Sequence, residues 1–315
     1  MLKSLAIFSV ICAHCNSVSI DNIYVNLMSN FLQQIGTIGV VLFFVLAGSL
    51  FHFDRYTFKE FFLKKILYLA IPWFLSGTIV YLYVYLRKPP ISFISWINYI
   101  IGNGSYLYYL TLLIAFYLLF WFIKFFRSTV VLVLLSAVTI VSVVFFSDKG
   151  YLSPYLDVMN WIGYFSFGML IKRYKDKAVC VYSFLKRFSF LFCINFFILF
   201  FVRFILSIKV GYWGYQNFLF ILIGSISFVF FSTILVERKN VTKKIVCIGD
   251  NSLFIYLWHM PIAGIITNLM NRHFLVYGVL VRPFLVLAIM ILSHKFLLLV
   301  LKNSKYIKIM IGLSR

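Results

Sequence analysis

The 315-residue chain is 63% hydrophobic and 21% aromatic, with a formal net charge of +21 and a mean hydropathy of +1.00. Soluble domains are about 45–50% apolar; here apolar runs of about twenty residues recur from end to end, which predicts an all-α polytopic membrane protein and leaves no room for a soluble catalytic domain. The basic excess invites nucleic acid, but its placement argues against that partner: with spans near 2–17, 31–52, 63–86, 105–126, 129–146, 157–173, 188–207, 217–236, 245–267 and 280–301, alternate connections hold twenty-one and six of the 29 Lys and Arg residues.

That asymmetry predicts about ten transmembrane helices with both termini in the cytoplasm, in a single membrane-embedded unit covering 1–315. Arg203 and Lys295 fall within spans, and Arg282 is counted in an outer connection. The first span carries no small-residue cleavage site before a soluble domain, so it reads as a retained helix rather than a signal peptide.

That span, MLKSLAIFSVICAHC, places Lys3 at its start and His14 within it. Eleven residues at about 100° each make three turns plus roughly 20°, so the two share a stripe about 16 Å apart along the axis. If Lys3 sits at the membrane surface, His14 sits near mid-membrane. Imidazole there either faces a polar cavity and marks a functional site, or is hydrogen-bonded between packed helices. Cys12 and Cys15 flank His14 in a C-x-x-C, but on a helix His14 lies about 200° round from Cys12. The three do not share one metal, and the cysteines read as small apolar residues.

In the second span Gly36, Gly39 and Gly48 predict close helix approach. In the third, Lys59, Lys64 and Lys65 stand at the cytoplasmic mouth and Pro72 predicts a kink. The lysines are either positive-inside anchors or a cradle for the phosphates of a cytosolic donor such as an acyl-coenzyme A. The tyrosine cluster of 98–112 and the outer loop 147–157 suit either an interfacial belt or stacking on sugar rings. Asp157 stands out because there are only eight acids in the chain. KRYKDK, 172–177, reads as a cytoplasmic turn, and Arg203 as snorkelling outward or facing a partner. The ninth span contains a second deep histidine, His259, followed by Pro261, with Asn251 and Ser252 placed to cap its helix. Gly-rich phosphate loops, H-E-x-x-H and nucleophile-elbow serines are absent.

Four stretches together resemble the membrane acyltransferase 3 family, which O-acylates polysaccharides and related exported glycans. They are the basic residue, ten intervening residues and histidine of LKSLAIFSVICAH, then GVVLFFVLAGSLF (Gly39–Phe51), FFLKKILYLAIP (Phe61–Pro72) and NSLFIYLWHMPI (Asn251–Ile262). The chain departs from the family pattern at Lys3, where arginine is frequent, at Ala47, where serine is common, and at Tyr68, where arginine is usual. The resemblance implies a multi-pass enzyme of a bacterial inner membrane that moves an acetyl group from cytosolic acetyl-CoA, with no metal, to a hydroxyl of a surface or lipid-linked glycan. It implies His14 as the catalytic residue, acting as general base or as acyl-carrying nucleophile. Lys64 and Lys65 would bind the donor phosphates, with Lys3, His259, Asn251 and Ser252 in support. The competing readings are a flippase or transporter for lipid-linked sugars and a glycan polymerase. The first expects polar residues in many spans, the second large outer loops, and the sequence has neither.

Overall fold

The structure is a computed structural model that describes residues 1–15, 22–52, 57–85, 91–146, 153–205, 223–227, 229, 239–273 and 275–313. Among these every regular element is helical and there is no strand. Four helices are long and apolar enough to cross a membrane: Ile23–Ser49, Phe58–Tyr85, Ser252–Asn271 and Gly278–Val300. Leu2–His14, Tyr108–Phe122 and Thr129–Phe145 are apolar but shorter, and Lys175–Lys186 meets Ser189–Leu199 at 78°. The expected eighth span, 217–236, lies almost wholly outside the described residues, as does the side chain of Arg203.

Helix α1 (Leu2–His14) is the post around which the site is built. Thirteen residues give about 20 Å, short of a hydrocarbon core of about 30 Å. Its sequence is apolar on all faces because it is packed on all faces: Ala6, Ile7, Ile11 and Cys12 have no exposed surface. α2 (Ile23–Ser49) runs along it. Asn22 starts α2, its Oδ1 accepting from the amides of Tyr24 and Val25 at 3.0 and 3.2 Å, which satisfies donors the first turn leaves open. The α2 glycines bring helices together as the sequence predicts. A Cβ at Gly36 would collide with Ala13, one at Gly39 would lie 2.6 Å from the Ala6 carbonyl, and one at Gly48 would strike the backbone of Phe165. Two hydroxyls complete the seating of α1, Ser4 donating to the Ile245 carbonyl and Ser9 to that of Ile35.

The third span joins α3 (Phe58–Lys65), a π-helical turn (Ile66–Ala70) and α4 (Ile71–Tyr85). Thr57 and Glu60 form a capping box at its start. The irregularity predicted at Pro72 lies one turn earlier. Proline has no N–H for the preceding turn and crowds it, and a wider turn accommodates both. α5 (Phe93–Ile101) stops at Gly102, whose φ of 94° is the left-handed conformation. The turn that follows delivers Tyr106 into the interior. α6 (Tyr108–Phe122) ends on Arg127, which donates to the Phe120 carbonyl at 2.7 Å and to that of Trp121.

α7 (Thr129–Val141) packs on α8 (Ile162–Arg173). Thr139 Oγ1 donates to the Met159 carbonyl at 2.6 Å and accepts from the Gly163 amide at 2.8 Å. Asp157 accepts from the Met159 amide at 2.9 Å and starts a 3-10 turn. The expected turn at 172–177 narrows to Tyr174, because nothing in KDK stops a helix and α9 (Lys175–Lys186) begins at once. α10 (Ser189–Ile205) follows. The expected ninth span is divided at Asn251 into α11 (Lys239–Asp250) and α12 (Ser252–His273). α13 (Leu275–Val300) and the short α14 (Lys305–Met310) complete the described chain.

Candidate active site

His14 is the last residue of α1, and its ring centroid lies 5.2 Å from that of His259 on α12. The two deep histidines singled out in the sequence therefore form one cluster. His259 is fully buried and its Nδ1 is 2.7 Å from the Tyr256 carbonyl. A carbonyl only accepts, so Nδ1 carries the proton and Nε2 of the neutral ring presents a lone pair. Among the described residues that Nε2 has no hydrogen-bond partner. No carboxylate is seen against either imidazole among the described residues.

Two tyrosines frame the pair. Tyr106 stands edge-on to His259, with centroids 5.4 Å apart, and 6.4 Å from His14. Its hydroxyl donates to the Leu257 carbonyl at 2.8 Å, while the hydroxyl of Tyr256 donates to the carbonyl of Tyr106. Tyr256 lies 5.9 Å from His259, ring to ring. Part of the tyrosine cluster, expected as an interfacial belt or a sugar platform, is thus interior and holds the histidine helix in place.

Toward the start of α1 a cavity of about 190 Å³ is lined by Lys3, Ala47, Tyr109, Tyr117, Ser252 and Tyr256, among others. Lys3 and Ser252 meet there because the α11–α12 junction rests on the first turn of α1: a Cβ at Gly249 would lie 2.7 Å from Ser4 Oγ. Tyr256 links this cavity to the histidines. Asn251 is not in its lining; its amide donates to the Cys247 carbonyl at 2.8 Å and closes the end of α11. Part of its expected capping role falls on the helix before it rather than the helix after it.

A second cavity, of about 1110 Å³, shares Leu50, Leu69 and Tyr117 with the first. Its walls include Lys64, Lys65, Tyr68, Lys305 and Lys308. Lys65 is half-buried, with Nζ 3.8 Å from the Tyr117 ring centroid and 5.4 Å from that of Phe61. A cation over aromatic faces is stabilised by the ring quadrupoles. The ammonium therefore stands at the passage between the two cavities. The three residues that depart from the family pattern are wall residues, Lys3 and Ala47 of the inner cavity and Tyr68 of the outer one.

Arg282 was expected in an outer connection and is instead fully buried within α13, donating to Asn271 Oδ1 on α12. The helix begins before it and continues through Pro283, and the Asn271 amide supplies an acceptor that makes a buried guanidinium tolerable. A basic residue inside an apolar run and next to a proline was the available signal. Tyr106 carried no signal beyond its place in an aromatic stretch. Cys12 and Cys15 are buried free thiols within the apolar core.

A family model described as an acyltransferase domain matches residues 1–294, a stretch that contains Lys3, His14, Lys64, Lys65, Asn251, Ser252 and His259. The comparison with curated proteins finds no match, and neither does the comparison with solved structures. The ordered motifs, the paired histidines and the match over most of the chain lead to one assignment: the chain belongs to the acyltransferase 3 family.

Proposed function

We propose that this protein is an inner-membrane O-acetyltransferase of about ten spans with both termini in the cytoplasm, taking an acetyl group from cytosolic acetyl-CoA and delivering it to a hydroxyl of a surface or lipid-linked glycan. The observation that carries this reading is a row of adjoining features that ends at the paired histidines. A lysine-lined cavity adjoins an inner cavity holding Lys3, and Tyr256 on its wall packs against His259, whose ring is 5.2 Å from His14. Lys64 and Lys65 suit the donor phosphates, and the narrower inner cavity suits the pantetheine arm.

At the inner end His14 acts on the reacting groups. As general base it takes the proton of the acceptor hydroxyl while that oxygen attacks the thioester carbonyl; a C–O bond forms, the C–S bond breaks, and the proton leaves with the thiol. As nucleophile it carries the acetyl group between the two substrates. His259, with Nδ1 committed to the Tyr256 carbonyl, holds a fixed tautomer beside it and orients the pair. The absence of water at mid-membrane depth strengthens these interactions and protects the acyl group from hydrolysis.

The test is acetyl content of cell-surface glycan by NMR in a deletion strain complemented with wild type or His14→Ala. Loss of an O-acetyl signal restored by wild type alone supports acyl transfer. An unchanged acetyl pattern with shortened or missing glycan points to a transporter or polymerase and ends the His14 mechanism.

A further inference from the structure

The outer cavity carries two lysine pairs from distant parts of the chain, Lys64 and Lys65 on α3 and Lys305 and Lys308 on α14, and no carboxylate lines it among the described residues. The second pair lies beyond residues 1–294, the stretch that matches the family, so its presence in this cavity is a property of this chain rather than of the resemblance. α14 is a built wall. The Trp258 indole donates to the Ile311 carbonyl at 3.0 Å, Leu313 is buried, and the Leu313 amide returns to the Lys308 carbonyl at 2.9 Å. Lys308 Nζ itself donates to the Lys302 carbonyl at 3.0 Å at the end of α13, where exposed carbonyls favour a cation. Trp258 is the neighbour of His259, so the wall is pinned to the helix that bears the site.

We propose that Lys305 and Lys308 form a second phosphate-reading wall that makes the cavity selective for a donor nucleotide bearing a 3′-phosphate. This rests on the acetyl-CoA reading above and adds a residue-level division of labour. In coenzyme A the diphosphate lies between the pantetheine arm and the ribose, and the 3′-phosphate lies on the far side of it. Lys65 stands against Tyr117, one of the three residues shared by both cavities, and therefore meets the diphosphate at the point where the arm enters. The α14 pair faces the remaining phosphate. Phosphate oxygens on ammonium groups make charge-assisted bonds stronger than neutral ones, so deleting one phosphate group discriminates measurably.

The experiment measures binding of coenzyme A and of 3′-dephospho-coenzyme A to the full chain in nanodiscs of neutral lipid. The variants are Lys305→Gln/Lys308→Gln, Lys64→Gln, and Lys302→Gln as a control whose side chain is not on the cavity wall. Wild type is expected to prefer coenzyme A by about tenfold or more, and the α14 double variant to lose that preference while still binding the dephospho form. Lys64→Gln weakens both ligands and Lys302→Gln neither. A double variant that keeps the preference, or weakens both ligands equally, overturns the proposal. Wild type that binds neither nucleotide removes the acetyl-CoA reading itself, and this proposal with it. The same lysines also suit an anionic lipid headgroup; if the double variant keeps nucleotide selectivity but loses retention of phosphatidylglycerol, the wall is a lipid site and the proposal fails.

Discussion

Tyr256 donates its hydroxyl to the carbonyl of Tyr106, and Tyr106 donates its own to the carbonyl of Leu257, the residue after Tyr256. The turn after α5 and the histidine-bearing helix α12 are thereby clipped together from both sides. Each bond satisfies a polar group with no access to water, and an unmatched one costs about 1–3 kcal/mol.

Tyr256→Phe and Tyr106→Phe are therefore each expected to lower stability by about 1–2 kcal/mol, with the double variant departing from additivity because the bonds close one ring of contacts. Thermal unfolding in detergent measures this. Strict additivity of the two would show that the clip is two unrelated bonds.

The tautomer of His259 makes a discriminating pair of substitutions. Asparagine places an N–H near the Nδ1 position and nothing at Nε2, whereas alanine removes both. His259→Asn should fold like wild type yet transfer acetyl groups about 10- to 100-fold more slowly, and His259→Ala should be both slow and less stable. Full activity of His259→Asn would confine this histidine to packing. For His14→Ala the expected fall in turnover is about 10²- to 10⁴-fold at normal expression.

Gly36 and Gly264 predict opposite outcomes for the same substitution. A Cβ at Gly36 collides with Ala13, the residue before His14, whereas a Cβ at Gly264 meets nothing within 4 Å. Gly36→Ala should cost about 1–3 kcal/mol and most of the activity by shifting His14. Gly264→Ala should be neutral or stabilise by about 0.5–1 kcal/mol, since alanine is the better helix former. Melting temperatures and turnover of the two variants, side by side, settle both.

Lys65→Met removes the charge at the passage between the cavities while keeping an apolar stem against Tyr117 and Phe61. The expected result is a KM for acetyl-CoA raised about tenfold with kcat little changed, since the ammonium would contact bound donor rather than the reacting atoms. A fall in kcat at constant KM would place Lys65 in the chemical step instead. The donor KM of wild type should also rise with ionic strength, as screening weakens phosphate contacts.

Much of this was legible in the residues. Lys3, His14 and His259 stood out because ionisable groups are rare in apolar runs, and Gly36, Gly39 and Gly48 because small residues mark close packing. The helical class followed from the length of the runs. The meeting of His14 with His259 was not legible, since periodicity fixes which face a residue occupies but not which helix that face meets. Arg282 was misplaced because it stands at the very start of the expected 280–301 span and was counted with the connection before it, whereas Asn271 supplies an acceptor that lets it be buried. No motif marked Lys305 and Lys308; they line the outer cavity because the segment that carries them is held against Trp258. Ten spans were expected, and among the described residues four helices meet the length and hydropathy of a span; the shorter apolar α1 gains from its neighbours the burial that length alone does not give.

Because α1 is enclosed both by α2, which follows it, and by α11–α13, far along the chain, its order of appearance matters. His14 leaves the ribosome 245 residues before His259. At roughly 5–20 residues per second, on the order of 10–50 s pass between them. During that interval the His14 ring lacks the His259 ring that it lies beside in the folded chain. A chain cut short before α12 lacks His259 and, on the proposed function, is expected to transfer no acyl group.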